Sequence, residues 1–315
     1  MPLMKMLVIT FISASGGVGK TMLAINTAAH LAIDGHKVLF IDFDPSATAT
    51  RILLGRSIED YNLQTLMMRI VRQRKGKRMD QINIDNYIKI HRIPKTPSHE
   101  IRVLPGGNIY EISTDIKNLP EWGRLLRDIV DLIMNTYNYE PTIVVDSPNW
   151  VYEFFEMTMY LGGYYIAVTR PGDHEISKFT EFLESISDII RGSAHTKPEE
   201  IITYVVNQYR SNMKPREITE KWKDIKTTIG KKLPNIMPLV NEDTIDCYYG
   251  KEKTHFVGFK MRDDLSIDNY TTDGPLLIRK DSKKNDCDEK YTPIKQFNAY
   301  YSILKNFLKI NVTTE

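Results

Sequence analysis

A glycine-rich segment between an apolar run and an apolar helical pattern constrains the fold of this chain more than any other feature. Residues 13–21 read Ser-Ala-Ser-Gly-Gly-Val-Gly-Lys-Thr and follow the apolar residues 7–12. Glycines allow a tight turn in which successive backbone N–H groups point at phosphate oxygens. A helix that begins at Lys20 directs the positive end of its dipole at the same anion. The segment therefore predicts a strand, a polyphosphate-binding loop and a helix.

This interpretation gives each residue of the loop a task. The ammonium of Lys20 reaches the outer phosphates, and the hydroxyl of Thr21 ligates Mg²⁺. A tight strand-to-helix turn alone does not require a Lys-Thr pair at this place. The predicted nucleotide-binding residues are Ser15, Gly16, Gly17, Val18, Gly19, Lys20, Thr21 and Met22.

Composition limits the classes of protein that remain. The net charge of +2 over 315 residues is too small for a general polyanion binder, so any nucleic-acid surface is local. Cys247 and Cys287 have neither metal-ligand spacing nor a disulfide framework. We expect a cytoplasmic protein, because no apolar run reaches the ~18 residues of a membrane span and the N-terminus leads directly into a core strand.

Alternating strand and helix patterns predict the fold class, an α/β doubly wound, mostly parallel sheet with helices on both faces. Strands are predicted at residues 7–13, 37–42, 101–105, 142–146, 164–169 and 202–207, with a short stretch near 236. Helices are predicted at residues 20–33, 122–137, 175–190, 215–229 and 293–308. We expect residues 1–315 to form a single domain in which the polar segments 69–100 and 258–291 are loop-rich, mobile insertions.

Three carboxylates stand at the ends of predicted strands, and ligands of parallel sheets bind beyond such strand ends. Asp42 and Asp44 follow one strand and Asp146 ends another. One of the first two carboxylates can enter a Mg²⁺ shell while the other orients an attacking water, and Asp146 can hold a metal-bound water.

Asn207 ends a further strand, and an amide side chain can pair with the donor and the acceptor of an adenine edge. A strand-end asparagine that caps the next turn is the alternative. Pro238 is a weaker candidate for a wall of the base pocket.

The segments at residues 16–21, 37–45 and 144–148 resemble the ParA/MinD ATPases with a deviant Walker A loop, and most closely ParA, the partition ATPase of plasmids and chromosomes. The similarity covers most of residues 5–250 and adds a family-like C-terminal helix. It implies the P-loop NTPase fold, an ATP-dependent homodimer, non-specific binding of double-stranded DNA on the nucleoid, and ATP hydrolysis stimulated by a centromere-binding partner.

The resemblance also assigns roles. Lys20 and the loop amides hold the phosphates of ATP and take part in catalysis, and Asp44 positions the attacking water. Thr21, Asp42 and Asp146 form the Mg²⁺ shell. Asn207 recognises the adenine base.

One position departs from the family pattern. The family has a second lysine directly before the two glycines, which reaches the phosphates of the partner subunit, whereas this chain has Ser15. A charge-assisted hydrogen bond contributes about 1.5–3 kcal/mol, so its loss weakens an ATP-bound dimer roughly 10- to 100-fold. Arg170, at the end of a neighbouring strand, is a candidate for a substitute cation. A nucleotide-binding scaffold without useful hydrolysis is the alternative.

Two basic segments are candidates for the DNA surface, since Lys and Arg on phosphates give sequence-independent binding. One is the run at residues 69–78. The other follows the Asn207 strand, with predicted DNA-binding residues Arg210, Lys214, Arg216, Lys221 and Lys223.

The C-terminal segment and the cysteines bear on two further classes of protein. Residues 293–310 have an apolar stripe typical of core packing; the alternative is a MinD-like membrane helix, and no membrane is expected. An iron–sulfur protein would need paired cysteines near Asp146, which the sequence lacks.

Overall fold

The computed structural model describes residues 6–78, 80–93, 98–137, 141–150, 154–193, 197–208, 213–240, 246–249, 252–255 and 293–309. The strands are β1 (Val8–Ile12), β2 (Val38–Asp42), β3 (Lys89–Arg92), β4 (Glu100–Leu104), β5 (Thr142–Asp146), β6 (Tyr164–Thr169), β7 (Ile202–Val206), β8 (Asp246–Tyr249) and β9 (Glu252–His255). The α-helices are α1 (Lys20–Ile33), α2 (Thr48–Leu54), α3 (Leu63–Arg74), α4 (Ser113–Lys117), α5 (Leu125–Tyr137), α6 (Glu156–Met159), α7 (Asp173–Ser193), α8 (Pro198–Ile201), α9 (Pro215–Gly230) and α10 (Pro293–Leu308). Short 3-10 helices cover Ile84–Asn86, Ile109–Ile112 and Trp122–Arg124.

The chain divides into two compact units. The first comprises Met1–Phe11 and Thr21–Tyr164, and the second comprises Ile12–Lys20 and Tyr165–Glu315. The phosphate loop therefore belongs to the second unit, while Thr21 and the three predicted carboxylates belong to the first.

In the first unit the strand order is β3-β4-β2-β5-β1. The pairs β1–β5, β2–β5 and β2–β4 are parallel, and β3 is antiparallel to β4. All five residues of both β2 and β5 are buried, as expected for strands covered on both faces. Their register places Asp42 opposite Asp146, so the pairing of two apolar strands brings two carboxylates together.

In the second unit β6 and β7 are parallel, from Tyr165 opposite Ile202 to Thr169 opposite Val206. A single parallel bridge between Tyr204 and Pro238 extends β7 on its other side, where we expected a short strand. Helix α10 buries its apolar stripe, because the side chains of Phe297, Tyr300 and Leu304 are fully buried. The predicted core role of this stripe is confirmed.

The strands β1–β7 of the two units are mostly parallel and have helices around them, which confirms the predicted α/β fold class. The interpretation of residues 69–100 as loop-rich is partly wrong. Residues 69–74 are the last turns of α3, and β3 and the start of β4 occupy residues 89–92 and 100. The segment 258–291 lies outside the described residues. Within the described part of the chain, no helix is long and apolar enough to span a membrane.

Candidate nucleotide-binding site

The phosphate loop turns on two glycines in the left-handed region, with φ of 71° at Gly17 and 86° at Gly19. A Cβ at Gly19 would overlap Nδ2 of Asn207, so a side chain at this position would have to displace that amide from the loop. The side chain of Lys20 is almost fully buried, with 5% of its surface exposed. The sequence predicted the loop, and the structure adds its close contact with β7.

Two consecutive amide side chains hold the loop. Nδ2 of Asn207 donates to the carbonyl of Val18 at 2.8 Å, and Nε2 of Gln208 donates to the carbonyl of Gly17 at 2.9 Å. A trans peptide directs its carbonyl and its N–H to opposite sides. Fixing these two carbonyls therefore orients the N–H groups of Val18 and Gly19 away from the two amides, as an anion-binding loop requires.

Gln208 was not predicted as a site residue. Its φ of 60° is left-handed, and its backbone N–H donates to Oδ1 of Asn207 at 2.8 Å. Asn207 is thus in contact with the loop, and its recognition of adenine stays a prediction. Pro238 lies beside β7, where the neighbouring Leu239 N–H donates to the carbonyl of Tyr204 at 2.9 Å.

The residue before the glycines, Ser15, contacts a carboxylate that also holds an arginine. Its hydroxyl donates to Glu175, in the first turn of α7, and Nη2 of Arg170 lies 2.7 Å from Oε1 of the same carboxylate. Burial acts to raise the pKa of Glu175, but the hydrogen bonds from Arg170 and Ser15 outweigh it and lower that pKa below its ordinary value. The glutamate is therefore an anion that connects the loop to a cation.

Asp42 and Asp146 are both fully buried in the first unit. The N–H and the hydroxyl of Thr50 each donate to Oδ2 of Asp42 at 2.7 Å, whereas Oδ1 of Asp42 has no hydrogen-bond partner among the described residues. Burial and then the charge of Asp146 raise the pKa of Asp42 to about 7, against the opposing hydrogen bonds of Thr50. Asp42 was predicted, and Thr50 was missed because nothing in its local pattern marks it.

This pair fits a divalent cation. A buried carboxylate oxygen without a hydrogen-bond donor, next to a second carboxylate, is relieved of repulsion when a cation arrives. The described residues contain no group of three or more His, Cys, Asp or Glu side chains that could hold a metal. Mg²⁺ bound together with a nucleotide needs only one or two carboxylates, since phosphates and waters supply the other ligands.

Asp44 lies in a tight turn after β2. Its Oδ1 accepts hydrogen bonds from the N–H of Ser46 at 2.9 Å and from the hydroxyl of Ser46 at 2.6 Å. Ala47, with a left-handed φ of 49°, closes the turn by donating its N–H to the carbonyl of Asp44 at 2.8 Å. The carboxylate is half-buried, and its predicted role toward water stays a prediction.

The predicted DNA-binding residues differ in their surroundings. Lys214 and Lys223 are exposed. Arg216 is paired with Glu220 at 2.8 Å, and Lys221 is paired with Asp173 at 2.6 Å. Arg210 lies outside the described residues.

Comparison with known proteins identifies the family. The sequence matches the CobQ/CobB/MinD/ParA nucleotide binding domain over residues 9–245. It is 24% identical over 223 residues to the uncharacterized protein MJECL24 of Methanocaldococcus jannaschii, covering 70% of this chain and 80% of the relative. It is 28% identical over 142 residues to the chromosome-partitioning ATPase Soj of Treponema pallidum, covering 44% and 47% of the two chains.

Solved structures show the same fold at low sequence identity. A chain of the MinC:MinD cell division protein complex of Aquifex aeolicus is 16% identical, with 98% of both chains covered and a TM-score of 0.61. A Borrelia burgdorferi protein assigned to plasmid partition and bound to AMPPNP is 17% identical, with 96% of this chain and 99% of that chain covered and a TM-score of 0.58. The chain therefore belongs to the ParA/MinD superfamily of nucleotide-binding ATPases.

Proposed function

We propose that this chain is a DNA-segregation ATPase. It binds ATP with Mg²⁺, forms an ATP-dependent homodimer, binds double-stranded DNA without sequence preference, and hydrolyses ATP when a centromere-binding partner stimulates it. The phosphate loop, with two carbonyls fixed by Asn207 and Gln208, carries the nucleotide part of this proposal. The similarity to Soj and to a plasmid partition protein supports the segregation part.

Each group of site residues has its own role in ATP hydrolysis. Lys20 and the loop N–H groups bind the phosphates and stabilise the charge that develops during phosphoryl transfer. Thr21, Asp42 and Asp146 hold Mg²⁺, which neutralises phosphate charge when bound. Asp44 orients the attacking water, and phosphoryl transfer then requires little beyond this positioning.

Lys20→Ala and Asp44→Asn test these roles. Lys20→Ala removes the phosphate-binding ammonium, so nucleotide affinity is lost. Asp44→Asn keeps an oxygen that accepts from Ser46, so the turn and ATP binding persist while turnover stops. Ser46→Ala is the matched control, because it removes the hydroxyl donor to Asp44 and leaves the carboxylate. Normal phosphate release by Asp44→Asn would exclude the water-orienting role.

The dimer is the part of the proposal on which Ser15 bears most directly. Light scattering of the Asp44→Asn variant with and without Mg-ATP measures whether ATP drives dimerisation. This variant is suitable because a hydrolysis-deficient protein retains its nucleotide. A monomer at saturating Mg-ATP would exclude the ATP-dependent dimer and leave ATP binding intact. Phosphate release with DNA and a centromere-binding protein then tests stimulation, and a rate unchanged by both would favour the scaffold alternative.

The alternative, a MinD-like ATPase recruited to membranes, depends on α10. Its side chains Phe297, Tyr300, Tyr301, Leu304 and Leu308 are all at most 4% exposed, so the apolar stripe that would enter a bilayer is already packed in the protein. An interfacial helix needs an exposed apolar face. Because this stripe is buried, we favour DNA binding over membrane recruitment. The protein would then act on the nucleoid, in the cytoplasm.

Gel retardation of duplex DNA and sedimentation with anionic liposomes, each with and without Mg-ATP, separate the two functions. We expect ATP-dependent retardation that weakens steeply with salt, because phosphate contacts release counterions. ATP-dependent sedimentation with liposomes and no retardation would replace the proposal with the MinD-like alternative.

Charge removal tells the two basic segments apart. On α9 and directly after it, Lys223, Lys226 and Lys231 line an open depression of about 580 Å³ together with Thr227 and Gly230. In the run at residues 69–78, Arg74 and Lys75 are paired with Asp128 and Asp115. We expect the triple alanine variant of these three lysines to lower the salt slope of DNA binding by about 3. The matched variant Arg72→Ala, Lys77→Ala and Arg78→Ala should leave the slope nearly unchanged.

A further inference from the structure

Arg170 is an exposed cation at the phosphate loop. It follows β6, and 44% of its side-chain surface is exposed, whereas only 17% of its partner Glu175 is exposed. Glu175 accepts hydrogen bonds from both Arg170 and Ser15. Two groups that bond one carboxylate lie on the order of 5 Å apart, so the guanidinium is close to the first residue of the loop.

The arrangement leaves Arg170 able to exchange one anion for another. A guanidinium forms bidentate bonds with phosphate as readily as with carboxylate, because both present two oxygens in a plane. The single charge of Glu175 competes poorly with the several charges of a triphosphate. Glu175 is held in place by its burial in the first turn of α7 and by Ser15, so Arg170 is the partner that moves.

We propose that Arg170 is a phosphate-binding residue of the nucleotide site, held by Glu175 in the nucleotide-free chain and transferred to the terminal phosphate of a nucleoside triphosphate bound by the same subunit. This inference rests on the proposed ATP-binding function. It makes Glu175 the competing anion that holds Arg170 until the nucleotide binds. It also makes the site specific for triphosphates over diphosphates, because a diphosphate lacks the terminal group.

The test compares affinities for ATP and ADP, with Mg²⁺ present, by calorimetry on the full chain. Arg170→Ala should raise the Kd for ATP about 10-fold or more, which is the size of one charge-assisted hydrogen bond. The Kd for ADP should rise less than about 3-fold. Arg170→Lys should recover only part of the loss, because a point charge lacks the bidentate geometry.

Glu175→Gln should have the opposite effect on ATP binding, because it weakens the anion that competes with the terminal phosphate for Arg170. Glutamine still accepts the hydroxyl of Ser15 but no longer attracts Arg170, so the Kd for ATP should fall while the Kd for ADP stays constant. Arg191→Ala is the matched control, because Arg191 forms an exposed pair with Asp188 at 3.2 Å near the other end of α7. It should change neither affinity.

Each result has a definite meaning. Equal losses for ATP and ADP in Arg170→Ala, or no loss at all, would overturn the inference while leaving ATP binding established. Weaker ATP binding by Glu175→Gln would overturn the exchange of partners. If the wild-type chain bound neither nucleotide, the proposed function itself would fail, and Arg170 would not be the cause.

Discussion

Replacing Asp42 by asparagine should stabilise the metal-free protein, although Asp42 is a predicted ligand of Mg²⁺. The carboxylate is fully buried and lies opposite Asp146 in the register of β2 and β5. Asparagine has nearly the same shape and offers an oxygen to the N–H and the hydroxyl of Thr50. Its amide group replaces Oδ1, the atom that has no hydrogen-bond partner among the described residues. The substitution therefore removes a buried charge and keeps the existing hydrogen bonds.

The raised pKa gives the magnitude and the sign. Burial and the charge of Asp146 raise the pKa of Asp42 to about 7 in the folded chain, against an ordinary value of 3.8. A group with a raised folded pKa contributes stability below its unfolded pKa and loses it as the pH rises through its folded pKa. At 1.36 kcal/mol per pKa unit, the charge of Asp42 lowers the free energy of unfolding by on the order of 4 kcal/mol at pH 8 and by less than about 2 kcal/mol at pH 5.

Thermal unfolding in EDTA at pH 5 and pH 8 tests the argument. We expect Asp42→Asn to unfold roughly 6 °C above the wild type at pH 8, and much closer to it at pH 5. Thr50→Val is the control, because it removes a donor to Asp42 and an acceptor for the N–H of Gly106. It should destabilise the protein at both pH values. A destabilised Asp42→Asn at pH 8 would refute the assignment of a strained buried charge.

Three further outcomes follow from the described contacts. Gly19→Ala should abolish nucleotide binding measured by calorimetry, because its Cβ would overlap Nδ2 of Asn207 and its φ of 86° disfavours a side chain; binding as tight as in the wild type would contradict the observed loop. Gln208→Ala should weaken ATP and ADP binding about equally, by ~5-fold, because it frees the carbonyl of Gly17 and so loosens the orientation of the Val18 N–H, which is available to the phosphates of both nucleotides. Tyr300→Ala should lower the free energy of unfolding by about 3–5 kcal/mol in urea titrations, since this fully buried ring lies in the stripe of α10; an unchanged value would mean that α10 is not core.

The strands could be predicted because their signal is local. Continuous apolar runs in β2 and β5 reflect burial on both faces, and their bounds agree with the prediction to within one residue. The bounds of α10 agree with the prediction at both ends, since its stripe repeats at helical spacing over four turns. Burial and periodicity are properties of neighbouring residues, so one sequence suffices to find them.

The C-terminal part of α3 was predicted as a loop because of its basic residues. The basic residues 69–78 indicated a loop, yet Leu63, Leu66, Met67 and Ile70 form a buried stripe that continues into this run. A capping box at its start, with Asn62 accepting from the N–H of Thr65, was a further local signal. Exposed arginines on the last turns are compatible with a helix, and they also suit its negative C-terminal end.

The supporting residues of the site could not be predicted, for a different reason. Gln208 and Gly17 are separated by 191 positions, and Thr50 has no motif that connects it to Asp42. Such contacts depend on which strands are neighbours and on their register, and a single sequence contains no pattern for them. The motif predicts which groups touch the nucleotide, whereas the packing determines which groups hold them in place.

The charges in each unit point to one consequence for ligand binding. In the first unit the raised pKa of Asp42 keeps part of its population protonated near pH 7, where a divalent cation would remove the need for that proton. In the second unit Glu175 neutralises Arg170, as a phosphate would. The nucleotide-free chain therefore compensates its charges with a proton and a carboxylate. Binding of Mg-ATP at pH 7 should release protons, and binding of ATP without Mg²⁺ should release fewer. Calorimetry in two buffers of different ionisation enthalpy measures this difference, and equal proton release with and without Mg²⁺ would exclude Asp42 as its source.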